Sequence, residues 1–214
     1  MTHANIPSTA GLTSTIPLAG AEHGRLVVEG GTGALEVLAG PSPDALLDAT
    51  FVGDRPHVRA SDGEVVMTYP TGLVAWLRHS LQPTRARLGL NSSIPWWLEF
   101  RSGLHGARVD LRGVRVVSIG VRGGVSRGQL WLPQPSGTVR LSIFGGVQGV
   151  TVHRPPSTPI RISVRGGVSS LNIDSEELGG IGGGFRRETS GWPGAPDRLD
   201  VAIDGGASNL AVID

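Results

Sequence analysis

The sequence predicts an all-β protein built as a β-solenoid, that is, a stack of short repeated strand units. The phrase "LSIFGGVQGVTV" at residues 141–152 returns in closely similar form as "ISVRGGVSSLNI" at residues 162–173. In both, apolar and polar residues alternate, a Gly pair follows, and alternation resumes. Apolar residues two positions apart indicate strands, because successive strand side chains point to opposite faces of a sheet.

Six copies of this unit fit when the second Gly of the pair is used as an anchor. The anchors are Gly31, Gly103, Gly124, Gly146, Gly167 and Gly206. Three consecutive spacings of 21, 22 and 21 residues indicate one structural unit reused in register. The positions five and three before the anchor, and one and six after it, are apolar in every copy except at Thr32. Val164 and Val152 occupy two of these columns and are predicted to be buried.

Each unit therefore reads as a strand, a Gly corner, a second strand and a polar or Pro-rich return. The Gly pair supplies either a positive φ or a bend at which a Cβ would clash. Stacked copies turn each apolar column into a continuous buried ladder. An antiparallel sandwich is the alternative, since it explains the alternation but not the fixed 21-residue register.

The remaining segments are expected to surround this stack. Residues 1–24 form an N-terminal tail or capping strand, and residues 25–214 form the solenoid domain. An irregular segment, 38–97, holds a degraded copy around Gly63 and the stretch "TGLVAWLRHSLQP", which predicts a short amphipathic helix or a covering loop. A Gly-rich insertion, 175–196, is expected to project from the stack, to be mobile and to be dispensable for folding.

Composition excludes several classes of function. The 214 residues carry a formal net charge of +1, so no global field attracts nucleic acid. All 19 basic residues are Arg, and without Lys there is neither a P-loop nor Schiff-base chemistry. Cys is absent, which excludes disulfides and thiol nucleophiles. No transmembrane segment and no signal peptide are predicted, so the expected location is the cytoplasm.

The sequence resembles a known family at "NSSIPWWLEFRSG", at the central Gly-pair repeats from Leu111 to Pro155, and at the terminal "VAIDGGASNLAVID". These stretches are similar to bacterial toastrack-type domains, which are adhesin-like β-solenoid modules that also occur at the C-terminus of envelope-stress regulators. The resemblance implies a non-enzymatic module for assembly or sensing.

Candidate catalytic residues do not assemble into a site. "GVSRG" at residues 124–128 matches the nucleophile-elbow pattern, but a strand follows it where the elbow requires a helix. Asp110 and Asp174 share a column but are expected three turns apart, roughly 14 Å at the usual strand spacing. The six His residues lack metal-ligand spacing. We therefore expect no catalytic residues, no metal and no cofactor.

The column two residues before the anchor carries the candidate binding residues. It is expected to place Arg101 beside Arg122, with Phe144 between Arg122 and Arg165. Such a stripe is suited to a cation–π array or an anionic partner, and the alternative is a solvated corner shielded by Arg stems. In "PWWLEF", Trp96 and Trp97 must face opposite sides, one in the core and the other an exposed binding anchor.

The end of the chain predicts self-association. In a stack of coils, the last coil exposes its terminal strand, which contains Ala211 and Val212, as an unpaired edge. An end-to-end homodimer would satisfy it, with the N-terminal residues or the Gly-rich insertion folding over the edge as the alternatives.

Three functions are compatible with these features. The first is a soluble, non-catalytic module for protein interaction, assembly or stress-linked sensing. The second is a bactofilin-like polymer-forming scaffold. The third is a polysaccharide-binding or polysaccharide-active solenoid, which predicts a groove lined with aromatic and acidic residues, although aromatic residues are only 5% of the chain.

Overall fold

The computed structural model describes residues 11–31, 34–70 and 84–214. These residues form twenty-one strands and one 3₁₀ turn, Trp192–Gly194. No helix in this part of the chain is long and apolar enough to cross a membrane. The strands are β1 Leu12–Pro17, β2 Gly24–Glu29, β3 Ala34–Ala39, β4 Ala45–Val52, β5 His57–Ser61, β6 Glu64–Thr68, β7 Arg85–Leu90, β8 Pro95–Phe100, β9 Leu104–His105, β10 Arg108–Asp110, β11 Arg115–Val121, β12 Val125–Ser126, β13 Gln129–Trp131, β14 Thr138–Ile143, β15 Val147–His153, β16 Ile160–Val164, β17 Val168–Ile173, β18 Glu176–Ile181, β19 Phe185–Glu188, β20 Arg198–Ile203 and β21 Ala207–Ile213.

Two long sheets enclose the core. Sheet A runs in the order β1, β4, β7, β3, β10, β13, β15, β21, β17 and β18, with β12 joining β9 to β15. Sheet B runs in the order β19, β16, β20, β14, β11, β8, β2, β6 and β5. Each coil of the stack contributes one strand to sheet B and one or two short strands to sheet A. Neighbouring coils pair in parallel, whereas the strands at both ends of the stack pair antiparallel.

The strand registers confirm the all-β repeat fold. Leu98, Ile119 and Leu141 pair along one column, as the anchor alignment requires. Val152 pairs with Leu130 on one side and Val212 on the other. Val164 and Val152 are buried, at 1% and 2% exposure. A stack of parallel coils in this register, and not an antiparallel sandwich, therefore accounts for the repeat.

The Gly pairs of the last four copies are required by close packing and not by positive φ, whereas in the first pair Gly30 has a positive φ and Gly31 has open space around it. None of the four complete pairs from Gly123 to Gly206 has a positive φ. Instead, a Cβ on Gly145 would lie 2.7 Å from the backbone of Gly123 and Gly124, and one on Gly205 would lie 2.4 Å from the nitrogen of Gly146. The corners of successive coils thus stack backbone on backbone, which leaves no room for a side chain.

The coils are not stacked in chain order, and this corrects the expected arrangement of the last two copies. The final strands, β20 and β21, insert between the coil of β14 and β15 and the coil of β16 and β17. After β15 the chain first forms the outer coil of β16 and β17. It then returns, and β20 and β21 form the coil between β14–β15 and β16–β17.

The Gly-rich insertion pairs with the outer coil, so the prediction that it projects from the stack is wrong, and its mobility stays a prediction. Its strand β18 pairs antiparallel with β17, and β19 pairs antiparallel with β16. Trp192 follows and is buried, with its Nε1 donating to the carbonyl of Leu199 at 2.8 Å. The insertion therefore closes this end of the apolar ladder. This arrangement is the alternative to an end-to-end homodimer that the sequence left open.

The segment 38–97 contains a seventh coil. β6 pairs in parallel with β2, and β7 pairs in parallel with β3. Gly63 belongs to the turn of the β5–β6 hairpin, where both Asp62 and Gly63 have positive φ, so the copy expected around Gly63 is out of register. The predicted helix or covering loop at residues 71–83 lies outside the described residues. The predicted domain boundaries stay a prediction, although β1 does pair at the edge of sheet A.

Candidate functional site

A groove of about 600 Å³ lies on the outer face of sheet B, and we call it the sheet B groove. It crosses several neighbouring strands of this sheet. The residues that line it are His23, Arg25, Asp62, Glu64, Trp97, Leu98, Glu99, Ser118, Gly120, Arg122 and Phe144. Its size is within the range of ordinary ligand sites.

Strand alternation on β8 supplies one wall of the groove. Trp96 and Leu98 point inward, and Trp96 is completely buried, with its Nε1 donating to the carbonyl of Asn91 at 2.8 Å. Trp97 and Glu99 point outward, and Trp97 is 39% exposed. The opposite facing of the two Trp residues is as expected from the sequence, and Trp97 is the one available to a partner.

Small residues on β11 form the floor, and Phe144 forms the far wall. A Cβ on Gly120 would meet only the carbonyl oxygen of Leu98, at 3.9 Å, so the space above Gly120 is open. Phe144 is 57% exposed. Of the large apolar side chains in the described residues, four are exposed, and two of them, Trp97 and Phe144, line this groove. This concentration distinguishes the groove from the rest of the surface.

Glu99 organises the charged groups of the groove. Its Oε1 accepts hydrogen bonds from Nε of Arg101 at 3.1 Å and Nε of Arg122 at 2.9 Å. Its Oε2 accepts one from Arg25 at 3.0 Å. The hydrogen bond from Arg101, with those from Arg122 and Arg25, lowers the pKa of Glu99 to about 2 against the opposing effect of burial. The carboxylate therefore stays ionised and fixes three guanidinium groups.

The predicted binding column is only partly assembled. Arg101 and Arg122 lie on adjacent coils, as expected, and both bind Glu99. Phe144 follows, but the inserted terminal coil places Asp204 between Phe144 and Arg165. Arg165 instead pairs with Asp204 at 3.2 Å. The expected Arg–Phe–Arg succession is therefore wrong at Arg165, because the coil order differs from the chain order.

Ala211 and Val212 do not lie at an open edge, and that prediction is also wrong. Ala211 pairs with Thr151 on one neighbouring strand and Asn172 on the other. Val212 is fully buried between Val152 and Ile173. The premise for an end-to-end dimer through this strand is thereby removed.

Apart from Trp97, Arg122 and Phe144, the groove residues were not singled out from the sequence. Arg25, Trp97 and Ser118 share the column six before the anchor, and Glu99 and Gly120 share the column four before it. Both columns point outward by the same alternation that identified the column of Arg122. Reading all three outward columns together would have found most of the groove. Its aromatic neighbour His23, whose ring meets Trp97 edge-on at 5.9 Å, comes from a loop before β2 and has no such signal.

A second, smaller cavity of about 380 Å³ lies beside Trp131 at the edge of the sheet A face. Trp131 stacks flat on His153 at 4.5 Å and carries the guanidinium of Arg108 over its ring at 4.2 Å. Buried Arg154 binds Asp174 at 2.7 Å and Asp214 at 2.9 Å. The Trp131 ring beside this cavity is thus already in contact with His153 and Arg108.

No group of three His, Asp or Glu side chains within the described ranges is placed to hold a metal ion. Asp110 and Asp174 lie farther apart than expected, because the inserted terminal coil makes the separation four strand spacings, or roughly 19 Å. Two carboxyl groups at that distance do not share acid and base roles on one bond.

Comparison with solved structures shows that this fold occurs elsewhere. A crystal structure of a candidate cell adhesion protein from Clostridium sporogenes aligns with 94% of this chain and 98% of that chain, at a TM-score of 0.75 and 22% sequence identity. A crystal structure of a candidate adhesin from Bacteroides fragilis aligns with 97% of this chain and 99% of that chain, at a TM-score of 0.36 and 10% identity. No protein-family model and no curated protein matches the sequence. The first alignment covers nearly the whole chain and shows that the overall fold is shared.

Proposed function

We propose that this protein is a non-catalytic interaction module of the adhesin-like type, and that the sheet B groove is its binding surface. The observation that carries the proposal is the placement of two exposed aromatic side chains, Trp97 and Phe144, around an open floor at Gly120. Exposed Trp and Arg side chains around such a groove are the residue types that dominate binding energies.

Two further observations support this class of function. The solved structure from Clostridium sporogenes, which shares the overall fold, is described as a candidate cell adhesion protein. The resemblance of the Gly-pair repeats to toastrack-type adhesin-like domains suggests the same class. Stress-linked sensing remains a finer proposal within it.

The fixed charges of the groove favour binding over catalysis. Glu99 is held ionised by three Arg side chains, so it is unsuited to donating a proton near neutral pH. The rigid network keeps the donors and acceptors of the groove in place before a partner arrives, which lowers the entropic cost of binding.

A retention assay tests the proposal. The purified chain is incubated separately with the envelope fraction and the soluble fraction of source cells, and retention is measured by co-sedimentation and by affinity capture. We expect retention by one fraction, which the double variant Trp97→Ala, Phe144→Ala lowers at least tenfold, a loss of about 1.4 kcal/mol. Gly120→Ile should do the same by filling the floor, because its side chain would point into open space.

Leu12→Ala is the matched control, since Leu12 is an exposed apolar residue at the edge of sheet A. It should leave retention unchanged. Equal retention of wild type and all groove variants, with folding confirmed by circular dichroism, would contradict the proposal.

The same assay addresses cellular location. The cytoplasmic location expected from the sequence remains a proposal and favours a partner in the soluble fraction, whereas an adhesion role favours the envelope fraction. Antibody labelling of intact and permeabilised cells separates the two.

A further inference from the structure

The chemistry of the sheet B groove constrains its occupant. Its lining carries three carboxylates, from Asp62, Glu64 and Glu99, and two guanidinium groups, from Arg25 and Arg122. These charges nearly cancel, and most are engaged with each other: Arg25 reaches Glu99 at 3.0 Å and Glu64 at 3.5 Å. A strongly anionic polymer would therefore find no net opposite charge here, and a strongly cationic one would find only a single net negative charge.

The groove is nevertheless rich in oriented polar groups. Arg122 binds Glu99 through Nε, so the rest of its guanidinium can still donate. Carboxylates such as that of Glu64, which is 45% exposed, can accept. Donors thus alternate with acceptors across the surface, and a hydroxyl group, which both donates and accepts, matches such an arrangement better than a charged group does.

Protein interfaces usually have a different composition. Their centres are depleted in charged residues, whereas five of the eleven residues that line this groove are charged. A protein partner would have to desolvate this ion-pair network, at a cost that the two aromatic side chains would need to offset. A hydroxyl-rich ligand replaces water at these groups with hydrogen bonds of the same kind.

The two aromatic walls complete the match. Trp97 and Phe144 lie two coils apart and four positions apart along the strands, roughly 10 Å in one direction and 13 Å in the other. A sugar ring offers an apolar C–H face for contact with an aromatic side chain and hydroxyl groups around its rim. Two such contacts across an open floor suit a chain of sugars and not a single ring.

From these features we infer that the occupant of the sheet B groove is an uncharged glycan chain, with Trp97 and Phe144 contacting sugar faces and the Glu99 network binding hydroxyl groups. The inference rests on the proposed function and names the partner of the same groove. A polysaccharide-binding solenoid, the third function compatible with the sequence, predicts a groove lined with aromatic and acidic residues. The sheet B groove carries both kinds of residue.

Selective treatment of the envelope fraction tests the inference. Periodate cleaves vicinal diols of sugars and leaves most polypeptide intact, whereas protease removes exposed protein. We expect protease to leave retention of the wild-type chain unchanged, and periodate to lower it wherever the sugars carry vicinal diols. Neutral hexose and N-acetylhexosamine oligosaccharides should compete for binding, and oligosaccharides of uronic acids should not.

Direct titration of these neutral oligosaccharides by calorimetry supplies the second measurement. The variants Trp97→Ala and Phe144→Ala should each weaken binding about tenfold, and Glu99→Gln should weaken it while leaving both aromatic walls in place. Leu12→Ala should bind as the wild type does.

The outcomes separate this inference from the proposed function. Groove-dependent retention that protease abolishes and that no neutral oligosaccharide competes, or retention that occurs only in the soluble fraction, overturns the glycan and leaves the interaction module standing. Competition by uronic acid oligosaccharides alone also overturns an uncharged ligand. Absence of any groove-dependent retention overturns the proposed function itself.

Discussion

Gly145 and Gly149 stand four residues apart in one coil, yet they are required for different physical reasons. A Cβ on Gly145 would lie 2.7 Å from the backbone of the neighbouring coil. Gly149 has open space around it but a φ of +61°. The equivalent position, three after the anchor, also has positive φ at Gly106, Arg127 and Asn209, so it forms a second recurring bend in the coil.

Alanine substitutions separate these two causes. Gly145→Ala should destabilise the fold by roughly 3 kcal/mol or more, because rigid backbone cannot move aside. Gly149→Ala should cost about 1–2 kcal/mol, from the left-handed conformation alone. Gly31→Ala, with neither constraint, should change stability by less than about 1 kcal/mol. Urea denaturation measures all three, and equal losses at Gly145 and Gly31 would contradict backbone-on-backbone packing.

Among the histidines of the described residues, His153 has a pKa that is shifted from its ordinary value. Burial lowers the pKa of His153, and the nearby cations Arg112 and Arg108 lower it further. Its buried Nε2 has no hydrogen-bond partner, and its ring stacks on Trp131. Protonation in the folded state would therefore place a charge against two cations.

The stability of the protein should fall as the pH drops below the ordinary histidine value of about 6.5. The unfolded chain then binds a proton that folded His153 does not, so the free energy of unfolding decreases with falling pH. Chemical denaturation from pH 7.5 to 5 measures this slope. His153→Gln should flatten it, whatever its effect on absolute stability, and identical slopes would show that His153 titrates alike in both states.

At the scale of elements, strands β18 and β19 close one end of the stack. β18 pairs with β17 in sheet A and β19 pairs with β16 in sheet B, and both closing strands carry charged side chains. Arg186 binds Glu188 at 2.6 Å, and Arg187 binds Glu176 at 2.7 Å. Charges on edge strands oppose pairing with another chain. These charged strands at the end of the stack give no support to the bactofilin-like alternative, in which open coils of separate molecules stack end to end into a filament.

Replacing residues 176–194 by a short turn should therefore destabilise the protein and promote association, contrary to the expectation from composition. The deletion exposes β16 and β17 as unpaired edges and removes Trp192, whose ring lies 4.0 Å from the guanidinium of Arg161. Trp192→Ala alone should cost about 3 kcal/mol. Thermal denaturation and light scattering measure both effects, and a stable monomer after deletion would show that β18 and β19 do not cap the stack.

At the scale of the whole molecule, the chain inserts a coil near each end. β2 lies between β6 and β8, and β20 lies between β14 and β16. In both regions a pair of antiparallel strands, β4 and β5 or β18 and β19, flanks the outer coil. The two ends of the stack are thus closed by the same arrangement of antiparallel strands. The first and last coils of the chain lie inside the stack and not at its ends.

Val212→Pro should consequently prevent folding and not convert a dimer to a monomer. Proline has no N–H and cannot occupy a central strand without losing hydrogen bonds, at a cost of about 3 kcal/mol or more. Val212 lies between two paired strands and is fully buried. Circular dichroism and light scattering on the same sample decide the matter: a folded monomeric variant from a dimeric wild type would restore the edge model.

The sequence by itself determined the repeating unit, the buried columns and the opposite facing of Trp96 and Trp97. These depend on local alternation and on the absence of side chains at the Gly corners, both of which are properties of neighbouring residues. Only the tertiary structure decided the order of the coils. Every coil presents the same apolar columns to its neighbours, so the local pattern of a coil does not determine which copy pairs with it. That order separated Phe144 from Arg165, enclosed Ala211 and Val212, and turned the Gly-rich insertion into a cap. The sheet B groove likewise depends on residues from several coils and from the loop of His23, which lie close together only once the stack has formed.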